Sequence, residues 1–423
     1  MTKQEVKAKF EIEKKFYDLM FELGIINKFN KFPMINLTRK TEYGWSGYIS
    51  LEIGLSFADI SKNIAIISEN LKCIWIMQTE QFSDKAQIQI VTEKMDKNFP
   101  YECPKLKPNE MYQGIDFLKK PIIIDVNKYN MFLLAGATGS GKTRFIYQIL
   151  LSWILSCQIN EVEIYLSDIA KNEYNCLQYC KHVKYYASEL EELYKLMFYI
   201  KHKIKMRKQT IAVMRDKGLA TNIEEYNQIS KQKMSYSFLI IDEASVIMPD
   251  KTDSENEKLM KQVILDVLKD ISKTGRGLGI FCFIATQKTV KDELPSVIKN
   301  MSAVRISFRA NDMVSSEVIM GDHSAVGLAD RYAVYSLNGG SQQKYLYSPK
   351  ITIEKIKELI KPFEDRKHLK VDINAYLPQK NDEKYPPKQT HMSEKSLMNK
   401  KKTTSITSDF YDSRKVSGDF IDY

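Results

Sequence analysis

Gly136-Ala137-Thr138-Gly139-Ser140-Gly141-Lys142-Thr143 has the spacing G-x-x-x-x-G-K-[ST]. Those residue types handle phosphate. The glycines let the backbone curl until successive N–H groups point at one phosphate, Lys142 reaches the β- and γ-phosphates, and the Thr143 hydroxyl serves Mg²⁺. Further along, Asp242-Glu243 follows the apolar run Tyr236-Ser237-Phe238-Leu239-Ile240-Ile241. Such a pair divides the work: Asp242 holds Mg²⁺ through a water, and Glu243 orients and polarises the attacking water. A third run, beginning at Ile280, ends in Ala285-Thr286-Gln287, where an amide can touch the γ-phosphate or the lytic water. The expected catalytic set is Lys142, Asp242, Glu243 and Gln287, with Gly136 to Thr143 as the nucleotide loop and Thr143 and Asp242 at the metal. Charge at the γ-phosphate also calls for an arginine, often from a neighbouring subunit. Arg276, Arg305, Arg309 and Arg331 are the candidates, each with a structural or DNA-facing alternative.

These residues need a scaffold that brings several strand ends to one edge. Met131-Phe132-Leu133-Leu134 runs straight into the glycine loop, and a helical pattern follows from Arg144. Short apolar runs alternate with long helical patterns over 111–364, at Pro121-Ile122-Ile123-Ile124, Val162 to Leu166, Phe238 to Ile241, Ile280 to Ile284 and Ala303 to Phe308. Strands apolar on both faces and separated by helices predict an α/β fold with a mostly parallel sheet covered on both sides. Residues 1–31 read as a helical segment stopped at Gly24. Residues 32–110 read as a small α+β domain: strands at Trp45 to Leu51, Ile74 to Met77 and Ile88 to Val91, with a helix from Phe57 to Leu71. Residues 365–423 are polar and lysine-rich and read as a flexible tail.

The 423 residues are 43% hydrophobic and 27% charged, an ordinary globular composition that excludes wholesale disorder or a fibrous repeat. Lys and Arg number 63 against 53 Asp and Glu, a net charge of +10 that favours a polyanionic partner. No stretch of about 18 apolar residues occurs, so no membrane span is expected, and the mixed-charge start has no signal-peptide core. Six cysteines are too scattered for a disulfide framework, and Cys176, Cys180 and His182 lack a fourth ligand for zinc. A cytoplasmic chain is the working picture.

The order and wording of the motifs resemble the FtsK/SpoIIIE family of DNA-translocating ATPases. The resemblance is carried by Phe132 to Thr143, by Phe238 to Glu243, and by Gly275-Arg276-Gly277-Leu278-Gly279-Ile280 leading to Ala285-Thr286-Gln287. Val297 to Asn300, Arg305 to Arg309 and Gly327 to Asp330 extend it, as do Asp168 and the basic segment ending in Tyr226-Asn227. It implies a RecA-like P-loop NTPase motor that binds ATP and Mg²⁺, forms a ring, expected to be a hexamer, and moves double-stranded DNA. Two departures stand out. Ser315-Ser316-Glu317 replaces the Asp-Ser-Arg of chromosome-partitioning members, and Lys171 falls one place later than the family's lysine after Asp168. With neither a membrane anchor before the motor nor a winged-helix module after it, the build is closest to coupling-protein-like members of conjugative or mobilisable elements in Gram-positive bacteria. Those deliver DNA to a transfer channel, so relaxase or channel proteins and a recruited membrane anchor are the implied partners. Chromosome segregation, DNA packaging, and a nucleotide-gated DNA-binding module without processive movement are the alternatives.

The basic run Lys201-His202-Lys203-Ile204-Lys205-Met206-Arg207-Lys208 is either a solvated helical face or a sequence-blind phosphate contact. Lys400-Lys401-Lys402 carries the same ambiguity.

Overall fold

A computed structural model of the chain describes residues 1–79, 83–96, 98–287, 296–338, 344–368 and 370–378. The lysine run at 400–402 lies outside them, as does the expected tail from 379 onward.

The N-terminal part begins with helix α1 (Lys3–Glu22), opened by a capping box in which Thr2 and Glu5 bond each other's backbone. It lies against an antiparallel sheet of β1 (Met34–Thr41), β2 (Gly44–Ser50), β3 (Ile74–Thr79) and β4 (Lys85–Val91), ordered β1-β2-β4-β3. Phe16 of α1 stacks on Trp75 of β3 with ring centroids 5.4 Å apart, so α1 shares the core of this unit. The single helix expected from Phe57 is two, α2 (Phe57–Lys62) and α3 (Ile64–Leu71). The break is at Asn63, whose side-chain amide bonds the Asp59 carbonyl at 2.8 Å, the local competition with helix typical of Asn. Strand β1 escaped the sequence reading because its run is polar and a register shift between Leu37 and Arg39 disrupts the alternation.

The larger part contains β5 (Glu110–Ile115), β6 (Pro121–Asp125), β7 (Met131–Ala135), α4 (Lys142–Ser156), β8 (Val162–Ser167) and β9 (Val183–Ala187). Next come α5 (Leu190–Asp216), α6 (Ile223–Ile229), β10 (Tyr236–Ile241), α7 (Glu255–Leu278) and β11 (Ile280–Thr286). It closes with α8 (Ser296–Met301), β12 (Val304–Phe308), α9 (Met313–Met320), β13 (Tyr332–Leu337), β14 (Lys344–Tyr347) and α10 (Ile353–Ile360). Ten strands form one sheet in the order β6-β5-β14-β13-β12-β7-β11-β10-β8-β9. From β12 to β9 every pairing is parallel; from β12 to β6 every pairing is antiparallel. Strands β7, β10 and β11 are buried along their whole length, as parallel strands covered on both faces must be. Pro121 to Ile124, by contrast, belongs to an antiparallel edge strand, half exposed, which suits a proline at its first position.

The chain leaves β7 through α4 to one side of the sheet, and β12 flanks β7 on the other. Ligands of open α/β sheets sit at the carboxyl edge of such a point. Packing continues past the expected start of the tail. Asp365 and Val371 donate their N–H groups to the carbonyls of Tyr179 and Lys184, Ile373 is buried, and the Tyr376 ring lies 5.0 Å from that of Tyr199 on α5. Among the described residues no helix is long and apolar enough to cross a membrane.

Candidate nucleotide site

The glycine loop runs from the buried end of β7 to the first turn of α4. A Cβ on Gly136 would fall 2.7 Å from the Cβ of Phe308 and 2.8 Å from Ser140 Oγ, so only glycine fits beside β12. Gly141, which caps α4, has φ +116°, in the region that favours glycine. The Ala137 N–H bonds the Arg309 carbonyl at 2.9 Å, and the Arg331 N–H bonds the Ser140 carbonyl at 2.9 Å. Two neighbouring segments therefore clamp the loop, leaving the donors of the first helical turn, which have no partner within a helix, to face a ligand.

Lys142 is 5% exposed, and its Nζ has no hydrogen-bond partner; the nearest carboxylate oxygen, Glu243 Oε2, is 3.9 Å away. Asp242, at the end of β10, is 2% exposed; its Oδ2 makes no hydrogen bond of ordinary geometry, its neighbour being the equally buried Tyr174 hydroxyl, and Ser140 Oγ is likewise unbonded. Burial pulls the Lys142 ammonium down to about 8 against the attraction of Glu243 and Asp242. Burial also pushes the Asp242 carboxyl up to about 6, opposed by Lys142 and reinforced by Asp168. Buried polar atoms are nearly always paired, so a cation and an anion left open in one crevice fit a ligand carrying both charges. A triphosphate with Mg²⁺ is such a ligand.

Glu243 is held from β11: Oε1 accepts from the Thr286 hydroxyl and Oε2 from the Gln287 N–H, each at 3.0 Å. The Gln287 amide oxygen in turn accepts the Thr138 hydroxyl at 3.1 Å. The three strand ends named by sequence thus meet, with Gln287 joining the loop to the acidic pair. Thr143 donates its hydroxyl to Glu173 Oε2 at 2.6 Å. Glu173 and Thr286 were not singled out by sequence reasoning. Thr286 stood beside a named residue, and Glu173 lies five residues after Asp168 and two after Lys171, both of which the family resemblance had picked out.

The arginines scatter. Arg305 gives its guanidinium to the Lys299 carbonyl at 3.1 Å. Arg309 pairs with Asp330 at 2.7 Å on the rim of the crevice. Arg331 has φ +70° and packs beside Gly141. Arg276 is exposed at the end of α7, at the opposite edge of the sheet. There it lines a cavity of about 780 Å³ with Lys208, Arg215 and Lys273. His182 Nε2 lies 3.0 Å from the Cys157 carbonyl and Cys176 contacts the Tyr147 hydroxyl, so these two side chains bond to local neighbours.

A phosphate-binding loop between a buried strand and a helix, facing an acidic pair on the same sheet edge, defines a P-loop NTPase domain. Residues 105–302, a little under half of the chain, match the FtsK/SpoIIIE family, so the chain carries an FtsK/SpoIIIE domain there. Over 298 residues it is 25% identical to the DNA translocase FtsK of Staphylococcus aureus (strain Mu50), covering 66% of this chain and 35% of that protein. It is 26% identical to the DNA translocase SftA of Bacillus subtilis over 248 residues, 54% of this chain and 23% of SftA. The chain thus spans about a third or less of these translocases. In fold it is similar to the pCW3 conjugation coupling protein TcpA, solved as a monomer with ATPγS. That match has a TM-score of 0.57 at 19% identity and covers 83% of this chain and 99% of TcpA. It is also similar to the cytoplasmic domain of the type VII secretion ATPase EccC of Thermomonospora curvata, with a TM-score of 0.51 at 17% identity, covering 67% and 34%.

Proposed function

We propose that this chain is a DNA-dependent ATPase that moves double-stranded DNA in conjugative transfer or maintenance of a mobile element. The observation that carries the reading is the open pair of Lys142 Nζ and Asp242 Oδ2, buried beside a pinned Glu243 in an FtsK/SpoIIIE domain. The loop N–H groups and Lys142 would hold the β- and γ-phosphates. Thr143 and Asp242 would hold Mg²⁺, which neutralises charge developing on the phosphates when bound. Glu243, fixed by Thr286 and Gln287, orients the attacking water. Gln287 bonds both the Thr138 hydroxyl and Glu243, so movement at the loop reaches the base directly. Arg276 is exposed and away from its own site, as an arginine offered to a neighbour in a ring would be. The likeness in fold to a conjugation coupling protein, over nearly all of that protein, supports the conjugative reading. On that reading we take the motor to work in the cytoplasm, with relaxase or channel proteins as its partners.

The test is ATP turnover with Mg²⁺, with and without duplex DNA, in the wild type and in Lys142→Ala and Glu243→Ala, followed by displacement of a triplex-forming strand. DNA-stimulated turnover lost in both variants, with strand displacement, is the expected result. Absence of turnover with duplex and Mg²⁺ overturns the reading. Turnover without displacement returns the chain to a nucleotide-gated DNA-binding module.

A further inference from the structure

We propose that Glu173 is a positioning residue of the metal site, orienting the Thr143 hydroxyl so that its lone pairs face the cation. The inference rests on the nucleotide reading above and deepens it.

Thr143 Oγ1 and Glu173 Oε2 are 2.6 Å apart. An ionised carboxylate only accepts, so the shared hydrogen is the hydroxyl's. A threonine hydroxyl has one hydrogen. With that committed to Glu173, only lone pairs remain for whatever lies on the other side, as a metal ligand requires. The acid expected to serve the metal from the sheet does not do this: Asp242 Oδ2 makes no hydrogen bond of ordinary geometry, and its neighbour is Tyr174. Glu173 is itself fixed by bonds that do not involve its carboxylate. Its N–H bonds Asp168 Oδ1 at 3.0 Å, and the next N–H, of Tyr174, bonds Asp168 Oδ2 at 2.7 Å. Its carbonyl accepts the Tyr147 hydroxyl at 2.5 Å. Tyr147 lies one turn beyond Thr143 on α4, so the loop after β8 is fastened to the helix whose first turn carries the metal ligand. Asp168 also accepts the Tyr186 hydroxyl at 2.6 Å, which ties the same loop to β9. Groups that orient a metal ligand typically change metal affinity by about 10–100-fold.

The experiment is a fluorescence titration of the full chain with mant-AMPPNP, first in EDTA and then with rising Mg²⁺. In the wild type, Mg²⁺ is expected to tighten binding. Glu173→Ala should raise the Mg²⁺ concentration at half effect about 10-fold or more and leave the affinity in EDTA unchanged. Glu173→Gln keeps an accepting oxygen and the side-chain volume, so it should fall between, and it serves if the alanine variant does not fold. Added to Thr143→Val, Glu173→Ala should shift the midpoint no further, because Glu173 acts through that hydroxyl. An unchanged midpoint overturns the proposal. So does a lowered one, which would make Glu173 a competitor that the metal displaces, and so does an additive double variant. If the wild type fails to bind the probe at all, the nucleotide reading falls and this proposal with it; a binding wild type with indifferent variants removes this proposal alone.

Discussion

Strands β8 and β10 carry an ionic cluster at each end, with a half-buried ion pair at the amino ends and buried charges at the carboxyl ends, and the two clusters are built differently. At their amino ends Glu163 pairs with Lys203 and accepts from the Ser237 hydroxyl at 3.0 Å and the Tyr165 hydroxyl at 2.9 Å. Arg207, 6% exposed, gives its guanidinium to the carbonyls of Leu278, Gly279 and Ser235. At the carboxyl ends Lys142 Nζ and Asp242 Oδ2 each lack a hydrogen bond, and the nearest carboxylate to the ammonium is 3.9 Å away. Burial pulls both Lys142 and Lys203 down to about 8. The acids part company. Burial would raise Glu163, but Lys203 and Arg207 outweigh it and lower that carboxyl to about 2, whereas Asp242 rises to about 6. Buried charges satisfied within the protein specify structure. Those left open hold free energy that only a ligand releases.

The sharpest way to break this contrast is to truncate one cation at each end. Lys142→Ala should reduce ATP turnover at least about 100-fold while the thermal midpoint moves little, because the ammonium was already penalised by burial. Arg207→Ala should cost about 3–5 kcal/mol in urea unfolding, since three carbonyls lose their donor and Glu163 loses a cation. Equal stability losses in the two variants would show that the clusters do not differ in kind.

Acidity offers a second, smaller test with opposite signs. The Asp242 carboxyl has a native value of about 6 against 3.8 for the free group, so the folded state takes up its proton first. Stability from this group falls as pH rises from about 4 to 6, by on the order of 2–3 kcal/mol, and stays lower above. Asp242→Asn should therefore stabilise the nucleotide-free protein at pH 7, with the gain vanishing below about pH 4. Glu163, lowered from 4.5 to about 2, contributes stability that is complete above about 4.5 and lost as pH falls through 2. Glu163→Gln should destabilise at pH 7. Urea midpoints followed from pH 3 to 8 read both; the same sign for both variants at pH 7 would dissolve the comparison.

The sequence exposed the open cluster and hid the closed one for a physical reason. Phosphate binding constrains spacing: Gly136, Gly141, Lys142 and Thr143 must share one tight turn, and Asp242-Glu243 must end a buried strand. Those constraints are local, so they are readable. Glu163, Lys203 and Arg207 come together only because β8, α5 and β10 pack, and nothing in the run from Lys201 to Lys208 says which cations turn inward. The role of Glu173 was hidden for the same reason: Asp168 and Lys171 beside it were named, but its partners Thr143 and Tyr147 lie on another element. The strands missed at the antiparallel side, β5, β13 and β14, carry aromatic and polar residues in short runs. The resemblance in motifs covered the site but not the register of that half of the sheet.

The basic face of α5 gives the mildest test. Lys203 and Arg207 belong to the closed cluster, but Lys201, Lys205 and Lys208 are exposed, and their spacing of four and three puts them on one helical face. Replacing all three with alanine should weaken duplex DNA binding several-fold at moderate salt and leave mant-AMPPNP affinity without DNA unchanged. The more telling quantity is the salt dependence. Each DNA phosphate that a lysine no longer neutralises should make the slope of log affinity against log salt shallower by about 0.9. A slope shallower by that amount or more would make this face part of the DNA track. An unchanged slope would make it a solvated surface and move the search to Arg215, Lys273 and Arg276 around the neighbouring cavity, where the same measurement applies.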